Sequence, residues 1–126
     1  MTSVAYDAGP LIAADRSDRR FWAEHRARLE LGILPSVPAP IVAQVSRSPK
    51  QAQLRRLLRG CEVVPFDEPL AHRAGALLGG TGTRDLANAA LVALAVLRSA
   101  DIVTSDRADI TRLLGAARAR VRIVDT

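Results

Sequence analysis

The chain has 126 residues, a formal charge of +5 and a single cysteine, Cys61. That length fits one domain with one core, and a lone cysteine excludes an internal disulfide and a thiolate cluster for zinc or iron-sulfur chemistry. The opening Met1-Thr2-Ser3-Val4 lacks the basic and apolar regions of a secretory leader, and the longest nearly polar-free run, Leu86 to Leu97, is shorter than the roughly 20 residues of a spanning helix, so a soluble, cytoplasmic protein with no membrane partner is expected.

Ser3 to Tyr6 reads as a short buried strand, with Asp7 at its carboxyl end and Gly9-Pro10 as a tight exit, proline suiting the first turn of a helix. A helix follows from Ser17-Asp18 to Leu31, capped by Ser17 or Asp18, with Phe21, Trp22, Leu29 and Leu31 as apolar positions and Gly32 as the stop. Ile33 to Val37 reads as a second strand. The turn Pro38-Ala39-Pro40 then opens a helix through Ile41, Val42 and Val45. Another helix is expected from Pro49 to Arg59, with Leu54, Leu57 and Leu58 inward, and Gly60 ends it before a strand over Cys61 to Phe66. A strand position makes Cys61 a buried structural thiol.

Asp67 caps a helix over Glu68 to Leu78, and Gly79-Gly80-Thr81-Gly82 reads as a loop. Arg84 to Arg98 is apolar nearly all round, as a helix buried between a sheet and its neighbours would be. Asp101 to Thr104 is a strand, Asp106 to Ala117 a helix with Ile110, Leu113 and Leu114 inward, and Val121 to Val124 a closing strand. Strands alternating with helices across short connections predict one α/β domain over residues 1–126, with a mostly parallel sheet of four to five strands covered on both faces.

In such a sheet, sites form beyond the carboxyl ends of the strands. Asp7 and Asp106 both fall there. Asp85 and Asn88 lie one helical turn apart, so one face near the start of the Arg84 helix carries both. Asp85 and Asp106 are also at positions where a helix cap would stand, and Asp109, one turn beyond Asp106, either completes a Ser-Asp-x-x-Asp set or is a solvated first-turn acid. Clustered carboxylates suit a hard divalent cation, which can activate water against a phosphodiester. Lys50 is the only lysine, and the arginines gather at Arg16, Arg19, Arg20, Arg26 and Arg28, then at Arg47, Arg55, Arg56 and Arg59. That charge permits a nucleic-acid partner, as a GC-rich coding sequence would also produce.

Taken together, Asp7 with its small-residue turn and Leu11-Ile12, the helix after Pro38-Ala39-Pro40, the Asn88-Ala89-Ala90-Leu91-Val92-Ala93 stretch and the Thr104-Ser105-Asp106 strand end resemble the PIN-domain family, and within it the VapC toxins of bacterial toxin-antitoxin pairs. The resemblance covers nearly the whole chain and implies a three-layer α/β/α domain. It further implies an endoribonuclease in which four acidic residues hold Mg²⁺ or Mn²⁺, a small antitoxin whose tail lies in the acidic groove, and a homodimer. Asp7 matches the first acid and Asp106 the last. Asp85 stands near the third, Asp109 is a weaker metal ligand, and Thr104 and Ser105 support the acids. Two positions depart from the pattern: Gln44 stands for the family's glutamate and Asn88 aligns with its third acid. An amide oxygen ligates a cation without contributing charge. The alternative is therefore a PIN-like protein that binds RNA or antitoxin with weakened or lost cleavage. Phe21 and Trp22 fit either a dimer interface or an aromatic core pair.

Overall fold

The computed structural model describes residues 2–126. Its elements run β1 (Val4–Tyr6), α1 (Ala8–Asp15), α2 (Arg19–Glu30), β2 (Ser36–Pro38), α3 (Ala39–Val45), α4 (Ala52–Arg59), β3 (Glu62–Val64), α5 (Glu68–Thr81), α6 (Leu86–Arg98), β4 (Asp101–Thr104), α7 (Arg107–Ala117) and β5 (Ile123–Asp125). The described strands form one all-parallel sheet in the order β3-β2-β1-β4-β5. Helices α1, α2 and α4 pack together on one face, while α6 lies on the other against β1, β2 and β4 with α3, α5 and α7 around it. This is a three-layer α/β/α architecture.

The strand order positions the site. From β1 the chain builds outward through β2 and β3, then returns to the other side of β1 for β4 and β5. The junction of β1 and β4 is thus the topological switch point, where an open α/β sheet leaves a crevice beyond its strand ends. Asp7 and Asp106 follow those two strands. The backbone holds the junction closed up to Asp7, whose N–H donates to the Val103 carbonyl at 3.0 Å.

Helix α6 is buried continuously from Ala87 to Ala95, which explains why its sequence shows no polar face. Its many alanines let it lie close on the sheet, so small size rather than a stripe of large residues makes the contact. On the opposite face, Tyr6 packs edge-on to Phe21 with ring centroids 5.6 Å apart. Phe21 therefore belongs to the core. Trp22 is half-buried, donates its indole N–H to the Ala14 carbonyl at 3.2 Å and carries the Arg56 guanidinium 4.4 Å over its ring.

The expected strand Cys61 to Phe66 is shorter, Glu62–Val64, which leaves a half-buried Cys61 before it, and the closing strand runs Ile123–Asp125 rather than Val121 to Val124. Four other boundaries differ from the sequence expectation, each for a local reason. Ala8–Asp15 is a full helix, short and mostly small-residue, where only a turn and a helix start were legible. Ile33 belongs to the end of α2 rather than to the second strand. Gly32, at φ +78°, and Ile33 return their N–H groups to Leu29 and Arg28, a Schellman closure that delays the strand to Ser36. The stretch Gly79-Gly80-Thr81 is helical, and α5 ends only at Gly82, which takes φ +72°. Glycine weakens a helix, but packing overrides that preference here: Gly80 approaches Ala116 of α7, and the Thr81 hydroxyl donates to the Leu77 carbonyl at 3.0 Å. The Pro49 start of α4 moves to Ala52, because the Gln51 side chain binds the turn by accepting from the Arg47 and Ser48 N–H groups at 2.6 and 3.0 Å.

A buried polar chain beneath β1 was not foreseen. Arg28 donates to the Tyr6 hydroxyl at 3.1 Å, and that hydroxyl shares a hydrogen bond of 2.8 Å with His25 Nδ1. Burial pushes the Tyr6 hydroxyl up to about 12. Burial, then the Arg28 and Arg56 charges, hold His25 below its ordinary value and keep it neutral. A base depressed on folding contributes stability above its unfolded pKa of about 6.5 and loses it as pH falls through the folded value. The melting temperature should therefore drop on acidification below about pH 6.5, and His25→Gln should flatten that drop. A variant with the native slope would exclude His25 as its source.

Candidate functional site

Asp7 is 4 % exposed and both of its oxygens are engaged: Oδ1 accepts the Ala8 N–H at 2.7 Å and Oδ2 accepts the Thr104 hydroxyl at 2.5 Å. Thr104, fully buried at the end of β4, in turn accepts the Asp106 N–H at 2.9 Å. One threonine thus ties the ends of both central strands together. Burial raises the Asp7 carboxyl above its ordinary range, the Thr104 and Ala8 hydrogen bonds oppose that, and repulsion from Asp85 and Asp109 adds to it. The Asp85 and Asp109 charges thus reach Asp7.

Asp106 sits at the start of α7 without capping it through its side chain. Its carboxyl is also raised, by partial removal from water, then by the Asp109 carboxyl beside it and more weakly by Asp7. Asp85 does cap: its Oδ1 accepts the Asn88 N–H at 3.0 Å at the start of α6. Capping leaves its second oxygen for other work. A small cleft of about 10 Å³, room for roughly one water, is lined by Thr83, Asp85, Asn88, Asp109, Arg112 and Leu113. Asn88 is 6 % exposed, and its amide makes no side-chain hydrogen bond among the described residues.

Among the described residues, no three or more His, Cys, Asp or Glu side chains are gathered tightly enough to hold a metal ion by themselves. Asp85 and Asp109 line the small cleft, whereas Asp7 and Asp106 are joined beside it through Thr104. Gln44 is exposed on α3, its side chain makes no hydrogen bond among the described residues, and it does not line the cleft. The donor types still suit a hard cation: carboxylate oxygens at Asp7, Asp85, Asp106 and Asp109, with an Asn88 amide oxygen that has no side-chain hydrogen bond among the described residues.

Ser105 is exposed and has a steric role. A Cβ on Gly9 would run into the Ser105 hydroxyl, with Ser105 Cβ at 3.0 Å and its backbone nitrogen at 3.2 Å. Glycine is what lets the start of α1 close over the end of β4 and hold Asp7 beside Thr104. Gly9→Ala is expected to cost about 1–3 kcal/mol by overpacking, measured by urea denaturation. Adding Ser105→Gly should recover part of it, and no recovery would place the strain elsewhere.

The residues that sequence reasoning missed are Thr83 and Arg112, both lining the cleft. A signal for Arg112 existed, since it lies three residues beyond Asp109 on the same helix. The arginine clusters that stood out in the sequence go elsewhere: Arg26 and Arg56 line a cleft with Trp22, His25 and Leu29, and Arg55 and Arg59 line another beside Leu58. Cys61 takes no part, its thiol being pushed up to about 12 by burial.

Sequence comparison finds no matching family model and no matching curated protein. Comparison of structures finds VapBC2 from Rickettsia felis bound to a DNA fragment from their promoter, at a TM-score of 0.74 and 14% identity, covering 99% of both chains. DNA-bound VapBC from Salmonella typhimurium matches at 0.69 and 16% identity, over 99% of this chain and 98% of that one. A toxin-antitoxin complex from Klebsiella pneumoniae matches at 0.65 and 18% identity, over 84% and 88%. The chain has a PIN-like fold. At these identities the likeness is one of architecture, and the PIN-like core accounts for the placement of Asp7 and Asp106 at the switch point. Among the described residues no helix is long and apolar enough to cross a membrane.

Proposed function

We propose that this chain is the toxin subunit of a toxin-antitoxin pair and acts as a metal-dependent endoribonuclease. The observation that supports the reading is that Thr104 ties Asp7 to the Asp106 backbone at the switch point while Asp85 and Asp109 line a cleft from which their charges reach the buried Asp7 carboxyl. Asp7, Asp106 and Asp85 would hold Mg²⁺ or Mn²⁺, with Asp109 a weaker contributor and the Asn88 amide oxygen in reserve. A bound cation there would lower the pKa of a water and offset charge on a phosphodiester. Asp7 is fixed in orientation by Thr104 and Ala8, so little freedom remains to be lost when it engages. The raised carboxyls of Asp7 and Asp106 must lose their protons for metal to bind, so cation affinity should rise with pH. The reading is tested by manganese titration calorimetry and by RNA cleavage with and without EDTA, comparing native protein with Asp7→Asn and Asp106→Asn. Unchanged activity in both variants would sink it.

The partners follow from the same resemblance: RNA as substrate, a small antitoxin whose tail enters the acidic crevice, where an arginine could pair with the carboxylates, and a second copy of the chain. The solved complexes with this fold supply the antitoxin by analogy.

The loose spacing of the acids and the amides at Gln44 and Asn88 favour a second reading, a PIN-like RNA- or antitoxin-binding protein with weak or lost cleavage. Efficient metal-stimulated cleavage by the native protein would dismiss it.

A further inference from the structure

Arg112 lies on α7 one turn beyond Asp109, so both side chains project from the same face of the helix. That face closes the cleft formed with Thr83, Asp85 and Asn88. Among the described residues Arg112 is the arginine that lines this cleft, whereas Arg107, at the start of the same helix, is paired with Asp125 at 3.0 Å. Arg112 differs. It shares a cleft with two carboxylates, Asp85 and Asp109, yet makes no ion pair or side-chain hydrogen bond with either among the described residues. A guanidinium carries five N–H donors and no acceptor, so donors at the cleft wall are left for an incoming acceptor.

The chemistry of that acceptor is constrained from both sides. A divalent cation is repelled by the guanidinium, and a bare anion is repelled by the carboxylates. A phosphodiester satisfies both, because one oxygen can face the cation held by carboxylates while another accepts from the planar fork. The amides at Gln44 and Asn88 sharpen the need: a site with fewer carboxylates draws in less positive charge from solution, and a fixed cation on the wall makes up part of the difference. The geometry points to Arg112 as the residue that grips an RNA phosphodiester beside the acidic crevice, an assignment that rests on the ribonuclease reading for its substrate. The conspicuous arginine clusters line other clefts and are not that grip.

The test uses a 2′-O-methyl RNA oligonucleotide, which cannot be cleaved at its modified positions, with binding followed by fluorescence anisotropy across a potassium chloride series in Mg²⁺. Arg112→Ala is expected to weaken binding about tenfold and to lower the salt slope by about 0.7–1. Arg112→Lys should keep the slope and recover only part of the affinity, because it restores charge without the fork. Manganese affinity measured by calorimetry should stay the same or tighten in Arg112→Ala, since a like charge has been removed. Arg112 is exposed, so the melting temperature should not move; Arg112→Gln serves as a second variant retaining the polar stem.

Native affinity and slope in Arg112→Ala would overturn the assignment. So would a joint loss of RNA binding, manganese binding and melting temperature, which would mark a structural residue. Arg112-dependent binding in a protein that never cleaves unmodified RNA would leave this assignment standing and remove the nuclease reading. Cleavage by the native protein with no change in Arg112→Ala would do the reverse. A native protein that binds no oligonucleotide overturns both.

Discussion

Asp7→Asn is expected to lower metal-stimulated RNA cleavage by about 10²–10³-fold, the usual effect of removing a group that stabilises developing charge, while raising the melting temperature at neutral pH. The two halves of this expectation have one cause. Asp7 is a carboxylate kept at 4 % exposure, and burial lifts its pKa above that of the unfolded chain despite two hydrogen bonds. For an acid raised on folding, the native state binds more protons than the unfolded state between the two pKa values, so stability falls as pH rises through that window and stays lowered above it. At neutral pH the charge is thus a standing cost to folding.

Asparagine removes the charge and retains most of the bonding. Its Oδ1 can still accept the Ala8 N–H, and its Nδ2 can donate to Thr104 Oγ1, which already accepts from Asp106. The gain is expected to be roughly 3 °C, complete near pH 7 and vanishing toward about pH 4, where the native Asp7 is protonated as well. Asp7→Ala is the control: it leaves the Ala8 N–H and the Thr104 hydroxyl without their acceptor, at about 1–3 kcal/mol, and should melt below the native protein. A melting temperature that falls in Asp7→Asn would show that the Thr104 bond outweighs the buried charge. Native-level cleavage would remove Asp7 from the chemistry.

What could be read from sequence divides along the range of the interactions. The strand Asp101–Thr104 has the expected bounds, and Asp18, Asp67 and Asp85 cap the helices that follow them, because these features depend on neighbours a few residues away. The placement of Asp7 and Asp106 at one crevice followed from the rule for open sheets, though about a hundred residues separate them. The Thr104 bridge between them, the contact of Gly9 with Ser105 and the Tyr6-His25-Arg28 chain depend on register between distant elements, on which local pattern is silent. Arginine density did not point to the cleft. It drew attention to α2 and α4, whereas the arginine at the acidic cleft is isolated in sequence.

Restoring the expected acids is predicted to have the second large effect, and the two positions should not contribute equally. Asn88 lines the cleft with Asp85 and Asp109, is nearly buried, and its amide is uncommitted within the protein, so Asn88→Asp places a charge directly where a cation would bind. The first turn of α6 tolerates it, since a carboxylate near a helix N-terminus gains about 0.3–1 kcal/mol. Its like-charged neighbours Asp85 and Asp109 oppose it until a cation arrives. In EDTA the variant should therefore melt at or below the native temperature, and Mn²⁺ should then raise it more than it raises the native protein, because a ligand stabilises in proportion to its affinity for the folded state.

Gln44 is exposed on α3 and outside the cleft lining, so Gln44→Glu acts at longer range and should add less. For the double variant we expect manganese affinity and RNA cleavage each to rise by about tenfold or more, roughly 1.4 kcal/mol for each decade of affinity, with Asn88→Asp supplying most of it. If Gln44→Glu supplies the larger share, the crevice closes toward α3 when it binds metal, and Asp85 rather than position 88 is the third ligand. If neither substitution moves manganese affinity, the cleft between α6 and α7 is not where the cation binds, and the chemistry must rest on Asp7 and Asp106 alone.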